Sequence, residues 1–194
     1  MTVELVAITP EPEALIARCA RVSHRSEGRG IESDRKLIRR LIALGHESVL
    51  EHAVATFEIS GISRACANQL TRHRLASFVQ ESQRYVDARD RLLVRPPTFS
   101  EVDWAKAQKL LAETQALYAD LVAGGVPKED ARFVLPIGVE TRLVMTANFR
   151  ELRHILRLRL DKTAQWEIRE LARRMLGILL AHAPSVFEDL RGTT

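Results

Sequence analysis

The chain has 194 residues, of which 46% are hydrophobic, and no Pro/Gly/Ser-rich linker divides it, so one domain spanning residues 1–194 with a real core is expected. Twenty-nine Lys and Arg against 25 Asp and Glu leave a net charge of +4, a modest excess compatible with a phosphorylated small molecule or with nucleic acid. No apolar run approaches the ~20 residues needed to cross a bilayer, and the N-terminus MTVELVAITPEPE carries an acidic residue and no apolar leader, which predicts a cytoplasmic protein with no membrane partner.

VELVAI reads as a first strand, EALIARCARV as a helix, DRKLIRRLIALG as an amphipathic helix stopped by Gly45, and ATFEIS as a strand. SRACANQLTR reads as a helix with Ser63 as N-cap, on which Gln69 and Arg72, three apart, share a face. ASFVQESQRYV alternates as a strand, sending Gln80, Ser82 and Arg84 to one side and Val79, Glu81, Gln83 and Tyr85 to the other. Pro96-Pro97 then breaks the chain, and a long helix from about Val102 to Val122 closes at Gly124-Gly125. ARFVLP is a short turn or helix, GVETRLVMTA a strand, and two helices complete the chain. Strands and helices do not alternate strictly enough for a doubly wound sheet, so the expected class is α+β, a mainly antiparallel sheet flanked by helices.

The stretch RHRLASFVQESQRY gathers Arg72, His73, Arg74, Ser82 and Arg84. So much like charge in one place calls for an anion. A solvated basic surface is the other reading of the same run, although the residues between its cations (Leu75, Ala76, Phe78, Val79) are apolar. There is no GxGxxG and no GxxxxGK[ST], so side chains rather than a glycine-rich cradle must hold any phosphates. His46 and His52 are six apart and do not form a zinc pair on one helical face, and no metal site is expected. Cys19 and Cys66 form no CxxC and read as buried reduced thiols.

In NFRELRHILRLRLDK, Asn148 and Glu151 read as a capping-box variant. Leu152, Ile155 and Leu156 form the apolar stripe, with Arg150, Arg153, His154 and Arg157 on the opposite side. Arg159 falls back on the stripe, within about 20° of Leu152. A guanidinium aimed at a core needs an anionic or carbonyl partner. Capping of helix-end carbonyls and outward snorkelling are the competing explanations.

RHR, seven residues, Ser, then Arg-Tyr resembles the signature of the flavin-dependent thymidylate synthases. The segments ARVS (20–23), GHESVLEH (45–52), ARFVLP (131–136), NFREL (148–152) and LRLDKTAQWEI (158–168) are similar to further blocks of that family. The resemblance, which runs from about Ser23 to Ile168, implies a homotetrameric FAD enzyme that makes dTMP from dUMP. It implies 5,10-methylenetetrahydrofolate as carbon donor and NADPH as reductant. It also implies that Arg159 is catalytic, binding dUMP and favouring ionisation at N3 of the uracil. The implied FAD positions are Ser23, His46, Ser48, Glu51, Arg72, His73, Arg74, Leu75, Asn148, Arg150 and His154. Those implied for dUMP are Gln69, Arg72, Gln80, Glu81, Ser82, Gln83, Arg84, Arg132 and Arg159, with Ser82 binding substrate because no local base activates it as a nucleophile. Gln80 stands where members often have Glu, and Thr163 where some have His. A basic nucleic-acid-binding module is the rival from another class; it lacks interleaved aromatics, which are only 5% of the chain. An inactive flavoprotein of the same fold is a third reading.

Overall fold

A computed structural model describes residues 1–23, 25–28 and 30–193 of the chain. The elements, in order, are β1 (Thr2–Ile8), α1 (Pro12–Val22), α2 (Ile31–Ala43), a 3₁₀ turn (Glu47–His52), β2 (Val54–Ser63), α3 (Arg64–Leu70), β3 (Ser77–Gln80), α4 (Glu101–Ala123), α5 (Lys128–Ala131), a second 3₁₀ turn (Arg132–Val134), β4 (Glu140–Asn148), α6 (Phe149–Arg159), α7 (Trp166–His182), α8 (Pro184–Phe187) and a last 3₁₀ turn (Glu188–Thr193). The strands form one antiparallel sheet in the order β1-β2-β4-β3. The α+β class read from the sequence is the class observed. Among the described residues, no helix is long and apolar enough to cross a membrane.

The chain divides into two compact units, the first comprising Met1–Thr2, Ile59–Leu70 and Val79–Leu143 and the second Val3–Glu58, Thr71–Phe78 and the chain from Val144 onward. In the first unit, Tyr118 of α4 packs with Ala88 and Ala131, and Leu121, Val126 and Leu135 close around them. Leu110 and Leu117 on the same helix remain exposed. Ser63 caps α3 as expected, its Oγ accepting from Cys66 N–H at 3.0 Å.

In the second unit, α1 packs on α2, and α6 packs on α7 and on the 3₁₀ turn Glu47–His52. Phe149, Leu152, Ile155 and Leu156 of α6 are buried, and Phe149 meets Phe187 edge to face with centroids 5.2 Å apart. Glu13 ties α1 to two neighbours, accepting from Arg35 Nε at 2.8 Å and from the Ser185 N–H and hydroxyl at 2.8 and 2.7 Å. Gly45, with φ 74°, ends α2 in a Schellman pair: its own N–H reaches Ile42 O at 3.0 Å and the next N–H, of His46, reaches Leu41 O at 2.8 Å. That turn fixes where His46 leaves the helix.

Three expectations need correction. Helix α3 ends at Leu70, so Arg72 lies in the turns that follow and shares no helical face with Gln69. Strand β3 ends at Gln80, not at Val86. Beyond Glu81, whose N–H still bonds Arg142 O at 2.9 Å, the Ser82 hydroxyl accepts the Arg84 N–H at 3.2 Å and Ser82 O accepts from Tyr85 and Val86. This local bonding competes with the ladder and turns the chain, so Gln80, Ser82 and Arg84 are not one strand face. Cys66 is buried and Cys19 is only partly so, lining a cavity; neither forms a disulfide.

Candidate active site

The helix α6 begins at Asn148, whose Oδ1 accepts the Glu151 N–H at 2.9 Å. Burial of its stripe against the core leaves Arg150, His154 and Arg157 on an exposed face. That face, the Arg72–Leu75 turn and the Glu47–His52 turn enclose a cleft of about 690 Å³. Its cations are partly neutralised in place: Arg150 pairs with Glu51 at 2.5 Å and Arg157 with Glu47 at 2.6 Å. Burial pushes the Glu47 carboxyl up, but the hydrogen bond and charge of Arg157, with Arg153 adding to them, hold it below the usual carboxylate range.

Eight of the eleven FAD candidates line this cleft: Glu51, Arg72, His73, Arg74, Leu75, Asn148, Arg150 and His154. Three do not. Ser23, His46 and Ser48 line a different cavity of about 680 Å³, with Leu37, Arg40 and Leu44.

At the inner wall of the cleft, His73 is 6% exposed and stands edge-on to His154, with ring centroids 5.8 Å apart. Its Nε2 accepts from Arg159 Nε at 3.0 Å, and its Nδ1 lies 3.7 Å from Glu151 Oε1. Burial, then the positive charges of Arg159 and His154, lower the His73 pKa to about 4, so the ring is neutral near pH 7. Arg159 is the last residue of α6 and is half-buried, held by an imidazole at its side.

Arg153 was expected on the polar side of α6 and is instead fully buried. At about 100° from Leu152 it borders the stripe rather than opposing it. It donates to both oxygens of Asp189 at 2.7 Å, to Val186 O, and to Glu47 Oε1 at 3.4 Å. Burial raises the Asp189 carboxyl, and the Arg153 hydrogen bonds and charge outweigh it and hold it low. The sequence carries no signal for this, because the partner is 36 residues away.

The remaining candidates, apart from Arg72 and Arg159, belong to the first unit. Gln69 Nε2 donates to Ala65 O at 3.5 Å, and Gln80 Nε2 to Thr141 Oγ1 at 3.2 Å. Glu81 pairs with Arg91. Gln83 is half-buried beside the Ser82 turn. Arg84 pairs with the Glu129 carboxylate, and Arg132 Nε donates to the Glu129 carbonyl at 3.0 Å, so two guanidinium groups gather on one residue. Arg64, absent from the sequence candidates, joins them: burial and then the Arg132 charge lower its pKa. Adjacent guanidinium groups repel unless an anion lies between them.

The family model described as "Thymidylate synthase complementing protein" matches residues 4–185. The chain is 44% identical to the flavin-dependent thymidylate synthase of Geobacter sulfurreducens, over 97% of this chain and 86% of that one. It is 43% identical to that of Pyrococcus furiosus, over 90% and 77%, and 37% identical to that of Halobacterium salinarum, over 97% and 94%. The chain belongs to the flavin-dependent thymidylate synthase family. For a family named for its flavin, the donor set of the cleft is the relevant test. Arg72, Arg74 and Arg150 supply guanidinium groups, Asn148 an amide and Leu75 an exposed apolar wall. That chemistry fits a flavin nucleotide, whose phosphates require cations and whose rings require apolar surface.

Proposed function

We propose that this chain makes dTMP from dUMP with FAD as its cofactor, 5,10-methylenetetrahydrofolate as carbon donor and NADPH as reductant. The observation that carries the reading is the cationic cleft built by the Arg72–Leu75 turn and α6, in a chain of this family. A methylene carbon must gain two electrons to become a methyl group, which gives the reductant its place; FAD, when bound, supplies the hydride chemistry.

The chain's own residues bind and orient. Arg72, Arg74 and Arg150 meet the FAD phosphates, with Glu51, His73, Leu75, Asn148 and His154 around them. Gln69, Arg72, Gln80, Glu81, Ser82, Gln83, Arg84 and Arg132 hold dUMP, the arginines as bidentate partners of its phosphate. Arg159 is a permanent cation that favours ionised N3 and stabilises the negative charge developing on the pyrimidine, which raises the nucleophilicity of C5.

The separation of Ser23, His46 and Ser48 from the other FAD candidates supports a homotetramer in which one copy's cavity completes another's cleft. The exposed Leu110 and Leu117 of α4 supply apolar surface for such an assembly. The reading includes one functional domain over residues 1–194, a cytoplasmic location and no nucleic-acid partner. The test is to load purified protein with FAD, record the flavin spectrum with and without dUMP, and assay dTMP. Yellow protein, a dUMP-dependent spectral change and NADPH-dependent dTMP are expected. Protein that takes up no FAD points to the nucleic-acid reading, and FAD-loaded protein without turnover to an inactive flavoprotein.

A further inference from the structure

Glu151 is a buried carboxyl, 4% exposed, in the lining of the α6 cleft. It sits in the first turn of α6, its backbone N–H capped by Asn148, with Oε1 3.7 Å from His73 Nδ1. On the other side of the same ring, Nε2 accepts from Arg159 Nε at 3.0 Å. A guanidinium nitrogen carries hydrogen and offers no acceptor, so Nε2 must present its lone pair. The single proton of the neutral ring is then on Nδ1, the atom that faces Glu151.

We infer that Glu151 is a positioning residue for Arg159, acting through His73: its carboxyl oxygen favours the Nδ1–H tautomer and thereby turns the Nε2 lone pair on the guanidinium. This rests on the reading of Arg159 as the residue that faces the pyrimidine. The opposite tautomer would set N–H against N–H and remove the hydrogen bond at Arg159 Nε. At 3.7 Å the contact is longer than a hydrogen bond, so the carboxyl oxygen acts by attracting the Nδ1–H dipole across a buried gap; burial pushes the Glu151 carboxyl up. The arrangement follows the general logic by which an acidic group fixes the tautomer of a histidine that works on a third partner.

Nitrogen-15 histidine spectra of the FAD-loaded protein at neutral pH, with His73 assigned through His73→Gln, read the tautomer directly. The expected ring has a protonated Nδ1 and a bare Nε2. Glu151→Met is expected to move it toward the Nε2–H form and to lower kcat for dTMP at least about tenfold, with KM for dUMP changed by less than about threefold. Glu151→Gln, whose amide oxygen still attracts the Nδ1–H dipole, is expected to keep the tautomer and to recover about fivefold of that kcat. A wild-type ring that is charged or protonated at Nε2 overturns the inference. So does a folded Glu151→Met protein with tautomer and kcat unchanged. Should that variant not fold, Glu151→Gln with an Nε2–H ring overturns it, and an Nδ1–H ring supports it. Failure of the underlying reading shows separately, as an Arg159→Ala protein that still makes dTMP at the parent rate.

Discussion

The α6 cleft of the second unit and the arginine group of the first both concentrate positive charge, and they manage it differently. Around α6 most cations are already answered: Arg150 by Glu51, Arg157 by Glu47, Arg153 by Asp189, Val186 and Glu47. Arg159 Nε donates to the neutral imidazole of His73. In the first unit, Arg84 and Arg132 gather on Glu129, and Arg64 is depressed by burial and by Arg132. The buried pair of Arg153 builds structure, whereas the exposed Arg150–Glu51 pair can open to a phosphate, and a cation crowded by its own kind retains attraction for an incoming anion.

The largest expected effect tests that distinction at its sharpest point. Arg159→Ala and Arg159→Lys should keep FAD yet lose dTMP formation by about 10²–10³, the ~2.7–4 kcal/mol that one charge-stabilising donor supplies. NADPH oxidation should fall less, and lysine should not substitute, since it lacks the planar fork. A variant that sheds flavin and unfolds would make Arg159 a scaffold cation like Arg153.

Arg153→Leu should give the mirror result. Removing one partner of a buried ion pair costs about 3–5 kcal/mol, and the lower end is expected because Asp189 is 46% exposed and regains water. Chemical denaturation should show this loss, while the ratio of dTMP formation to NADPH oxidation stays at the parent value.

Next in size, dUMP should bind more tightly than deoxyuridine, and Arg132→Ala should shrink that gap by about tenfold, as expected for a charge-assisted hydrogen bond of roughly 1.5–3 kcal/mol. Equal binding of nucleotide and nucleoside by the parent protein would remove the phosphate from this arginine group.

The pH response separates the two regions more gently. The folded pKa of His73 lies near 4, below its ordinary 6.5, so the unfolded chain binds more protons between those values and stability falls as pH drops through that window. Glu151, raised by burial, works in the opposite direction: it penalises folding as pH rises through and above the ordinary carboxylate range. Arg159, His154 and Glu151 are the ionisable groups around the ring. The parent protein should therefore lose more stability from pH 6.5 to about 4 than His73→Gln does, measured as denaturation midpoints. Equal slopes would mean that the ring is not held neutral. The smallest effect belongs to the thiols: Cys19→Ala with Cys66→Ala should keep FAD-dependent dTMP formation, with some stability lost from the Cys66 site. A folded, flavin-loaded double variant without turnover would assign a thiol to the chemistry.

Much of this molecule is legible from local pattern. The periodicity of α1, α2, α4 and α6, the Ser63 and Asn148 caps and the Gly45 stop depend on residues a few positions apart, and each stands where the sequence puts it. The 100° count also brought Arg159 to the apolar side of α6. Tertiary structure decided what long-range partners decide. Arg153 is buried because Asp189 and Val186 return to cover it. Ser82 is the exception, leaving the strand for a local reason that the alternation pattern does not weigh: its hydroxyl captures the Arg84 N–H two residues on. Ser23, His46 and Ser48 part from the other flavin candidates because α1, α2 and the turn at Glu47 enclose a cavity of their own. The neutrality of His73 likewise follows from burial among groups distant in sequence. Short-range spacing fixes which way a side chain leaves its helix or strand, whereas its charge state and its partner depend on which distant segment packs against it.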